Sequence, residues 1–225
     1  MTRLFVTATG TEIGKTHVTA ALAHLARQRG DSVRVVKPLV SGFDPASPEG
    51  SDPAVLAAAA GLALDAAVLD RISPWRFRAP LSPDMAAARE GAAIDVPALI
   101  GFCRAALTGP EDCVLVEGVG GVMVPLDERS TVRDWIAALG IPAVLVAGSY
   151  LGTLSHTLTA RLALAEAGVA LRAVVVSEST EAPVPLGETI AALARFMPGM
   201  TLIGLPRRPG AASWRIAPEL SALLD

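Results

Sequence analysis

LFVTATGTEIGKTHVT, residues 4–19, holds the pattern that decides the fold. A short β-rich run leads into a loop that ends in Gly14-Lys15-Thr16, and a helical pattern then runs from His17 to about Arg29. This order of strand, glycine-containing loop, Gly-Lys-Thr and helix is typical of a phosphate-binding loop. The free N–H groups and the dipole of a helix start favour an anion at that point. The sequence therefore predicts a nucleotide site in which Lys15 contacts the outer phosphates and Thr16 binds Mg²⁺.

The spacing inside this loop departs from the common pattern of glycine, four residues and Gly-Lys. Thr9 stands where the first glycine is expected, Gly10 is one position late and Ala8 one position early. The segment is therefore either a longer variety of phosphate loop or a strand–turn–helix with a surface lysine. The position of Gly-Lys-Thr at the junction of strand and helix favours the phosphate loop.

Composition favours a cytoplasmic α/β protein without nucleic acid or membrane partners. The 225 residues are 52% hydrophobic and 18% charged, which suits a large core on both faces of one sheet. The net charge of -3 and the absence of a long basic run give no indication of nucleic-acid binding, and the apolar runs are too short to span a membrane. A strand that begins near Met1 leaves no room for a signal peptide. Cys103 and Cys113 form neither a disulfide framework nor a metal spacing, so we expect reduced thiols.

Apolar strands alternate with helical patterns along the rest of the chain. The predicted strands are 32–37, 113–117, 143–147, 171–176 and 201–204, and the predicted helices are 52–60, 84–90, 95–107, 135–139, 154–167, 188–196 and 218–224. The proline-rich and arginine-rich segment 71–83 is predicted to be extended. This alternation predicts one domain over residues 1–225, a three-layer α/β sandwich with a parallel sheet of the P-loop NTPase type.

Several polar residues stand at or just beyond predicted strand ends, where ligands bind in open α/β sheets. Lys37 and Ser41 follow the second strand, so we expect them near the phosphate loop, although a lysine there can also be solvated. Asp52 before a proline is either a helix N-cap, a metal ligand or both. Glu117 ends a buried strand before the glycine-rich turn 118–121, as a second Mg²⁺-linked acid does; the alternative is a solvated turn.

Together these features resemble dethiobiotin synthetase, the ATP-dependent enzyme family that closes the ureido ring of biotin. The family's longer loop, glycine, five residues and Gly-Lys-Thr with Thr-Glu inside, fits residues 8–16 with Ala8 at the first position. The other matching motifs are Lys-Pro-x-x-Ser-Gly at 37–42, Ser-Asp at 51–52, Pro-x-Ser-Pro at 80–83, Glu-Gly-x-Gly-Gly at 117–121 and Leu-Gly…His at 151–156. The resemblance extends over residues 5–208, and the ordered set is far more specific than Gly-Lys-Thr alone.

The resemblance implies that ATP, diaminopelargonic acid and CO₂ are the substrates, and that the reaction passes through a carbamate and a carbamic-phosphoric anhydride. It implies catalytic roles for Lys37, Lys15 and Thr11, and Mg²⁺ binding by Thr16, Asp52 and Glu117. It implies nucleotide binding by Glu12, Ile13, Gly14, Lys15, Thr16, His17, Glu117, Gly118, Val119, Gly120, Ser177, Glu178, Pro206, Arg207 and Arg208. It also implies substrate binding by Glu12, Ser41, Gly121, Leu151 and Ser155, and a homodimer in which residues near 151–155 complete the partner's site.

Three departures from the family pattern leave questions open. Ala8 would be strained if the backbone there needed a positive φ. Ser177-Glu178 replaces an Asn-Asp pair that reads adenine, so base preference is open, and Ser155 replaces an asparagine at the substrate end.

Three other kinds of protein are alternatives. A partner-binding switch ATPase of the same superfold carries a second lysine early in the loop, which this chain lacks. A cobalamin-pathway amide synthase needs a glutaminase domain for which 225 residues leave no space. A non-catalytic paralogue is the third alternative, although both lysines and the candidate Mg²⁺ ligands are present.

Overall fold

The computed structural model describes residues 1–210 and 212–225. Its strands are β1 (Thr2–Ala8), β2 (Val33–Val36), β3 (Leu39–Ser41), β4 (Trp75–Phe77), β5 (Cys113–Glu117), β6 (Ala143–Ala147), β7 (Leu171–Ser177) and β8 (Leu202–Leu205). Its α-helices are α1 (Lys15–Gln28), α2 (Asp52–Ala59), α3 (Ala66–Ile72), α4 (Pro83–Arg89), α5 (Val96–Leu107), α6 (Val132–Leu139), α7 (Thr153–Glu166) and α8 (Leu186–Phe196). Short 3₁₀ turns occupy Pro48–Gly50, Ser213–Arg215 and Pro218–Leu224.

Six strands form a parallel sheet in the order β2-β5-β1-β6-β7-β8. Every residue of β5 and β6 is buried, because apolar side chains leave both faces of these strands for a core. Val6, Leu115 and Val144 pack on one face with α1 and α2, whereas Phe5 and Leu145 pack on the other with α5 and α6. The predicted three-layer α/β fold with a parallel sheet is confirmed.

Segment 71–83, which was predicted to be extended, is extended only in part. Its first residues complete α3, and β4 pairs in parallel with β3 in a small second sheet, with Val40 opposite Arg76. Pro38 follows β2 and does not continue that strand. Beyond it the chain pairs with β4, beginning where the Trp75 N–H donates to the Pro38 carbonyl oxygen at 3.0 Å. This second sheet was not predicted, and it places Ser41 beyond the carboxyl edge of the main sheet.

The predicted N-cap role of Asp52 is wrong. Ser51 occupies the cap position, Asp52 is the first helical residue and Pro53 the second. The carboxylate of Asp52 is therefore free to pair with a side chain across the cleft. By contrast, Asp95 is the N-cap of α5, since its carboxylate accepts the Ala98 N–H at 2.9 Å.

The longest helices, α1 and α7, have 14 residues each. Within residues 1–210 and 212–225, no helix has both the length and the apolar character needed to cross a membrane.

Candidate functional site

The phosphate loop joins β1 to α1 and ends at a glycine whose left-handed backbone conformation would strain a residue with a side chain. Gly14 is the N-cap of α1 with φ 101° and ψ 19°, and a Cβ built there would lie 2.9 Å from the Ser177 hydroxyl oxygen. Glu12 also has a positive φ, 58°, which is uncommon for a residue with a side chain. Ala8 is the last residue of β1 and does not have a positive φ, so its backbone is not strained.

Lys15 is held inside the loop. Its side chain is buried, and Nζ donates to the Gly10 carbonyl oxygen at 2.9 Å. Burial lowers the pKa of Lys15 to about 8, the positive charge of Lys37 adds to this effect, and Glu117 and Asp52 partly oppose it. An anion in the loop would favour the charged form of this ammonium group and so raise its pKa again.

A second lysine is the centre of what we call the Lys37 cluster, formed with Thr16, Asp52 and Glu117. Lys37 Nζ donates to Glu117 Oε1 at 2.7 Å, to the Asp52 carboxylate, and to Thr16 Oγ1 at 3.4 Å. Thr16 Oγ1 donates to Glu117 Oε1 at 2.6 Å. Lys37 is 4% exposed and Glu117 is 0% exposed, so their pairing takes place away from water. Lys15 and Lys37 are the only lysines in the sequence, and both lie at this site.

Parallel strand register brings the cluster together. Glu117 lies beside Val6, so the end of β5 reaches the same sheet edge as the phosphate loop. Burial by itself would lower the pKa of Lys37, but the charges of Glu117 and Asp52 outweigh it and raise that pKa. Burial would likewise raise the pKa of the Asp52 carboxyl, and the Lys37 ammonium holds it below its usual value. Both shifts favour the charged forms of Lys37 and Asp52.

The donor set of this cluster suits a hard divalent cation. Glu117 Oε2 is buried and has no hydrogen-bond partner among the residues that the structure describes. The same described residues contain no group of three or more His, Cys, Asp or Glu side chains able to hold a metal. A cation here would therefore depend on the carboxylates of Asp52 and Glu117, the hydroxyl of Thr16 and oxygens of a ligand. Mg²⁺ is commonly held in this way, by one or two carboxylates and substrate phosphates.

A cleft of about 770 Å³, the phosphate cleft, opens in front of these groups. The predicted residues that line it are Thr11, Glu12, Gly14, Lys15, Thr16, His17, Lys37, Ser41, Asp52, Val119 and Gly120. Ser41 Oγ is buried without a hydrogen-bond partner among the described residues and is available to a ligand. The phosphate cleft also has an apolar wall that includes Val40, Leu81 and Val124, and none of these residues was predicted to line a site. The motifs at 37–42 and 80–83 contain Val40 and Leu81 of this wall, but no role was predicted for either residue.

A second cleft of about 390 Å³, the base cleft, continues from the first and shares Glu12, Gly14 and His17 with it. The other predicted residues that line it are Ile13, Ser177, Glu178, Pro206, Arg207 and Arg208. Burial lowers the pKa of His17, and the charges of Arg208 and Arg207 lower it further. The unpredicted lining residues Ser179 and Thr180 follow β7 and carry no pattern that would have identified them.

The glycine-rich turn after Glu117 packs against the phosphate loop. The Gly118 N–H donates to the Val6 carbonyl oxygen at 2.9 Å. A Cβ built on Gly121 would lie 3.0 Å from the Thr9 carbonyl oxygen, so a larger residue would push the two loops apart. Gly118 and Gly121 support the cleft from behind, while Val119 and Gly120 line it.

The predicted substrate residues Leu151 and Ser155 are not brought to this site in the same chain. They lie at and just before the start of α7, outside the lining of either cleft, and Leu151 is 86% exposed. Beside them, the Tyr150 hydroxyl and His156 Nδ1 are 2.9 Å apart.

A parallel sheet whose first strand leads through Gly-Lys-Thr into a helix, with acidic and basic groups converging at its carboxyl edge, defines a P-loop nucleotide-binding protein. A family model described as an AAA domain matches residues 2–212. The chain belongs to the ATP-dependent dethiobiotin synthetase family. The synthetase of Acidiphilium cryptum (strain JF-5) is 51% identical over 88% of this chain and 89% of that protein. The synthetase of Caulobacter sp. (strain K31) is 51% identical over 92% and 89%.

Solved structures support the same fold. The MinC:MinD cell division protein complex of Aquifex aeolicus matches with a TM-score of 0.56 and 11% identity, over 96% of this chain and 85% of that chain. The cell division ATPase MinD of Pyrococcus furiosus matches with a TM-score of 0.53 and 18% identity, over 98% and 90%. At these identities the likeness shows the fold alone.

Proposed function

We propose that this protein is an ATP-dependent cyclo-ligase of biotin biosynthesis that forms the ureido ring of dethiobiotin from diaminopelargonic acid and CO₂. The observation that carries this proposal is the Lys37 cluster, which lies beside the phosphate loop and lines the phosphate cleft through Thr16, Lys37 and Asp52. Relatives that match nearly the whole chain are named as this enzyme. Two lysines, a hydroxyl and two carboxylates are the groups that a phosphoryl transfer between two anions requires.

The proposed reaction has three steps. One amine of the substrate adds to CO₂ and loses a proton, giving a carbamate. A carbamate oxygen attacks the γ-phosphorus of ATP, the bond from that phosphorus to the bridging oxygen breaks, and ADP leaves. The second amine then attacks the carbonyl carbon of the mixed anhydride, the carbon–oxygen bond to phosphate breaks, a proton is lost, and phosphate leaves as the ring closes. Positioning and charge neutralisation supply most of the catalysis in such transfers.

The contacts of Lys15 and Lys37 support a different role for each lysine in this reaction. Lys15 is anchored to the loop backbone, which suits an ammonium that neutralises charge on the transferred phosphoryl group. Lys37 and the unpartnered hydroxyl of Ser41 line the same cleft and are suited to the carbamate. Thr11 and Glu12 line the cleft at the tip of the loop, where Thr11 would contact the reacting groups and Glu12 the substrate amine. Lys37 Nζ donates hydrogen bonds to the carboxylates of Glu117 and Asp52. It must therefore break at least one of these two contacts before it can bind a carbamate.

Mg²⁺ would be held by Thr16, Asp52 and Glu117 and would neutralise charge on the triphosphate. The unpartnered Glu117 Oε2 and the mixed hydroxyl and carboxylate donors support this assignment. The nucleoside would lie in the base cleft, since Gly14 and His17 are common to both clefts. Backbone N–H groups of residues 119–121 are the proposed site for the carboxylate of the substrate.

We also propose a homodimer that acts in the cytoplasm. Leu151, just before α7, and Leu154 and Leu162 on that helix are 86%, 38% and 62% exposed, and we take these three residues as an apolar stripe available to a partner. A second copy would cover this stripe and bring Leu151 and Ser155 to the partner's site. Both cysteines, Cys103 and Cys113, are free thiols, as a reducing compartment maintains.

Isotope labelling distinguishes this enzyme from a partner-binding switch ATPase and from a non-catalytic paralogue. Incubation with ¹³C-bicarbonate, diaminopelargonic acid and Mg²⁺-ATP should yield a product that carries one labelled carbon in a mass spectrum. Lys37→Ala should abolish the label while leaving nucleotide binding largely intact. Unlabelled diaminopelargonic acid as the sole recovered compound would contradict the proposed function.

A further inference from the structure

The base cleft contains an acidic side chain whose orientation is fixed by the fold. Glu178 follows β7, and its own N–H donates to the Leu205 carbonyl oxygen at 2.9 Å. Its Oε2 accepts the backbone N–H of Arg207 at 2.9 Å. The backbone of Glu178 is therefore tied to the last residue of β8 and its side chain to the segment just after β8, and Glu178 is one of the residues that line the cleft.

This carboxylate retains unused capacity to accept hydrogen bonds. Glu178 Oε1 makes no hydrogen bond within residues 1–210 and 212–225, and the side chain is partly exposed toward the cleft. An ionised carboxylate can only accept, whereas the neighbouring hydroxyl of Ser177 can donate or accept. The cleft thus presents two acceptor oxygens beside one adaptable hydroxyl.

Among the nucleobases, guanine matches this pattern best. Its N1–H and N2 amino group are adjacent donors that two carboxylate oxygens can accept together, and its O6 can accept from Ser177. Adenine offers one amino group next to the lone pair of N1, which would face a carboxylate oxygen. A polar group left facing a like partner in a binding site is penalised strongly.

We propose that Glu178 is a specificity-determining residue that makes the cleft accept guanine, so that GTP serves as phosphoryl donor at least as efficiently as ATP. This inference rests on the proposed function, since it takes the base cleft to hold the base of the phosphoryl donor.

The substitution Glu178→Gln tests the proposal with little change of shape. Its carbonyl oxygen can still accept the Arg207 N–H, while its amide adds a donor that suits adenine N1 or N7 beside the amino group. Glu181→Gln is the matched control, because Glu181 is exposed on the same loop and does not line the cleft.

We expect the wild-type kcat/KM with GTP to equal or exceed that with ATP. In Glu178→Gln the GTP-to-ATP ratio of kcat/KM should fall by about 5- to 150-fold, the range of one good bidentate base contact. It should stay unchanged in Glu181→Gln. A wild-type enzyme that uses ATP far better than GTP, or a ratio that Glu178→Gln leaves within about twofold of the wild-type value, would overturn the proposal.

Calorimetric binding of GDP and ADP separates this inference from the proposed function, because it needs neither diaminopelargonic acid nor turnover. A GDP-to-ADP affinity ratio that falls in Glu178→Gln supports base reading by Glu178 even if no ring closure is found. An affinity ratio that the substitution leaves unchanged overturns it even if ring closure occurs.

Discussion

Replacing Lys37 with methionine should destabilise the nucleotide-free protein, because it removes the charge that balances a fully buried carboxylate. Glu117 would keep only the hydroxyl of Thr16 as a donor. Removing one partner of a buried ion pair typically costs about 3–5 kcal/mol, and we expect a loss in this range. The contact with Asp52 adds little, because that side chain is 47% exposed and solvent screens it. For a chain of this size the loss corresponds to a decrease in Tm of roughly 6–20 °C.

Urea and thermal denaturation without nucleotide measure this effect, with Asp52→Asn as the exposed-partner control that should lose at most about 1 kcal/mol. Adding Glu117→Gln to Lys37→Met removes the uncompensated charge, so the double variant should recover most of the lost stability. A Lys37→Met protein within about 1 kcal/mol of wild type, or a double variant no more stable than the single one, would refute this reading of the cluster.

Further outcomes are expected at the phosphate loop, at Glu117, at the two cysteines and on α7. Gly14→Ala should cost at least about 1 kcal/mol in urea denaturation and abolish nucleotide binding, since its φ of 101° and the 2.9 Å approach to a neighbouring hydroxyl both exclude a side chain; wild-type affinity would contradict this. Glu117→Gln should weaken Mg²⁺-dependent nucleotide binding by about 10- to 100-fold and leave binding in EDTA nearly unchanged, and equal losses in both conditions would exclude a metal role. Burial raises the pKa of the Cys103 thiol to about 12 and that of Cys113 to about 11, so a disulfide reagent at pH 8 should label both only after unfolding. Because these thiols ionise more readily in the unfolded chain, the free energy of unfolding should fall as the pH rises above about 9. Leu162→Glu should give a monomer by sedimentation, whereas an unchanged dimer would place the interface elsewhere.

The sequence predicted the parts of the site whose signals are local. An apolar run before Gly14-Lys15-Thr16 and another before Glu117 identify two parallel strands, and strands of this kind end at one edge of the sheet. This is sufficient to bring Lys15, Thr16 and Glu117 together. The positions of Lys37 and Ser41 near the loop follow from the same rule.

Features that depend on tertiary pairing could not be predicted in this way. The second sheet joins two strands of three residues each across the intervening α2 and α3, and such short runs carry little periodicity. The position of Asp52 could not be predicted either, because Asp-Pro occurs both where the aspartate is the N-cap and where it is the first residue of the helix. Only the packed structure shows that its carboxylate pairs with Lys37.

Phosphate release from the purified protein should be measured with Mg²⁺-ATP or Mg²⁺-GTP, with diaminopelargonic acid and bicarbonate each present or omitted. We expect release that requires both the diamine and bicarbonate. Release that needs neither, or no release under any condition, would contradict the synthetase and favour a switch ATPase or a non-catalytic paralogue.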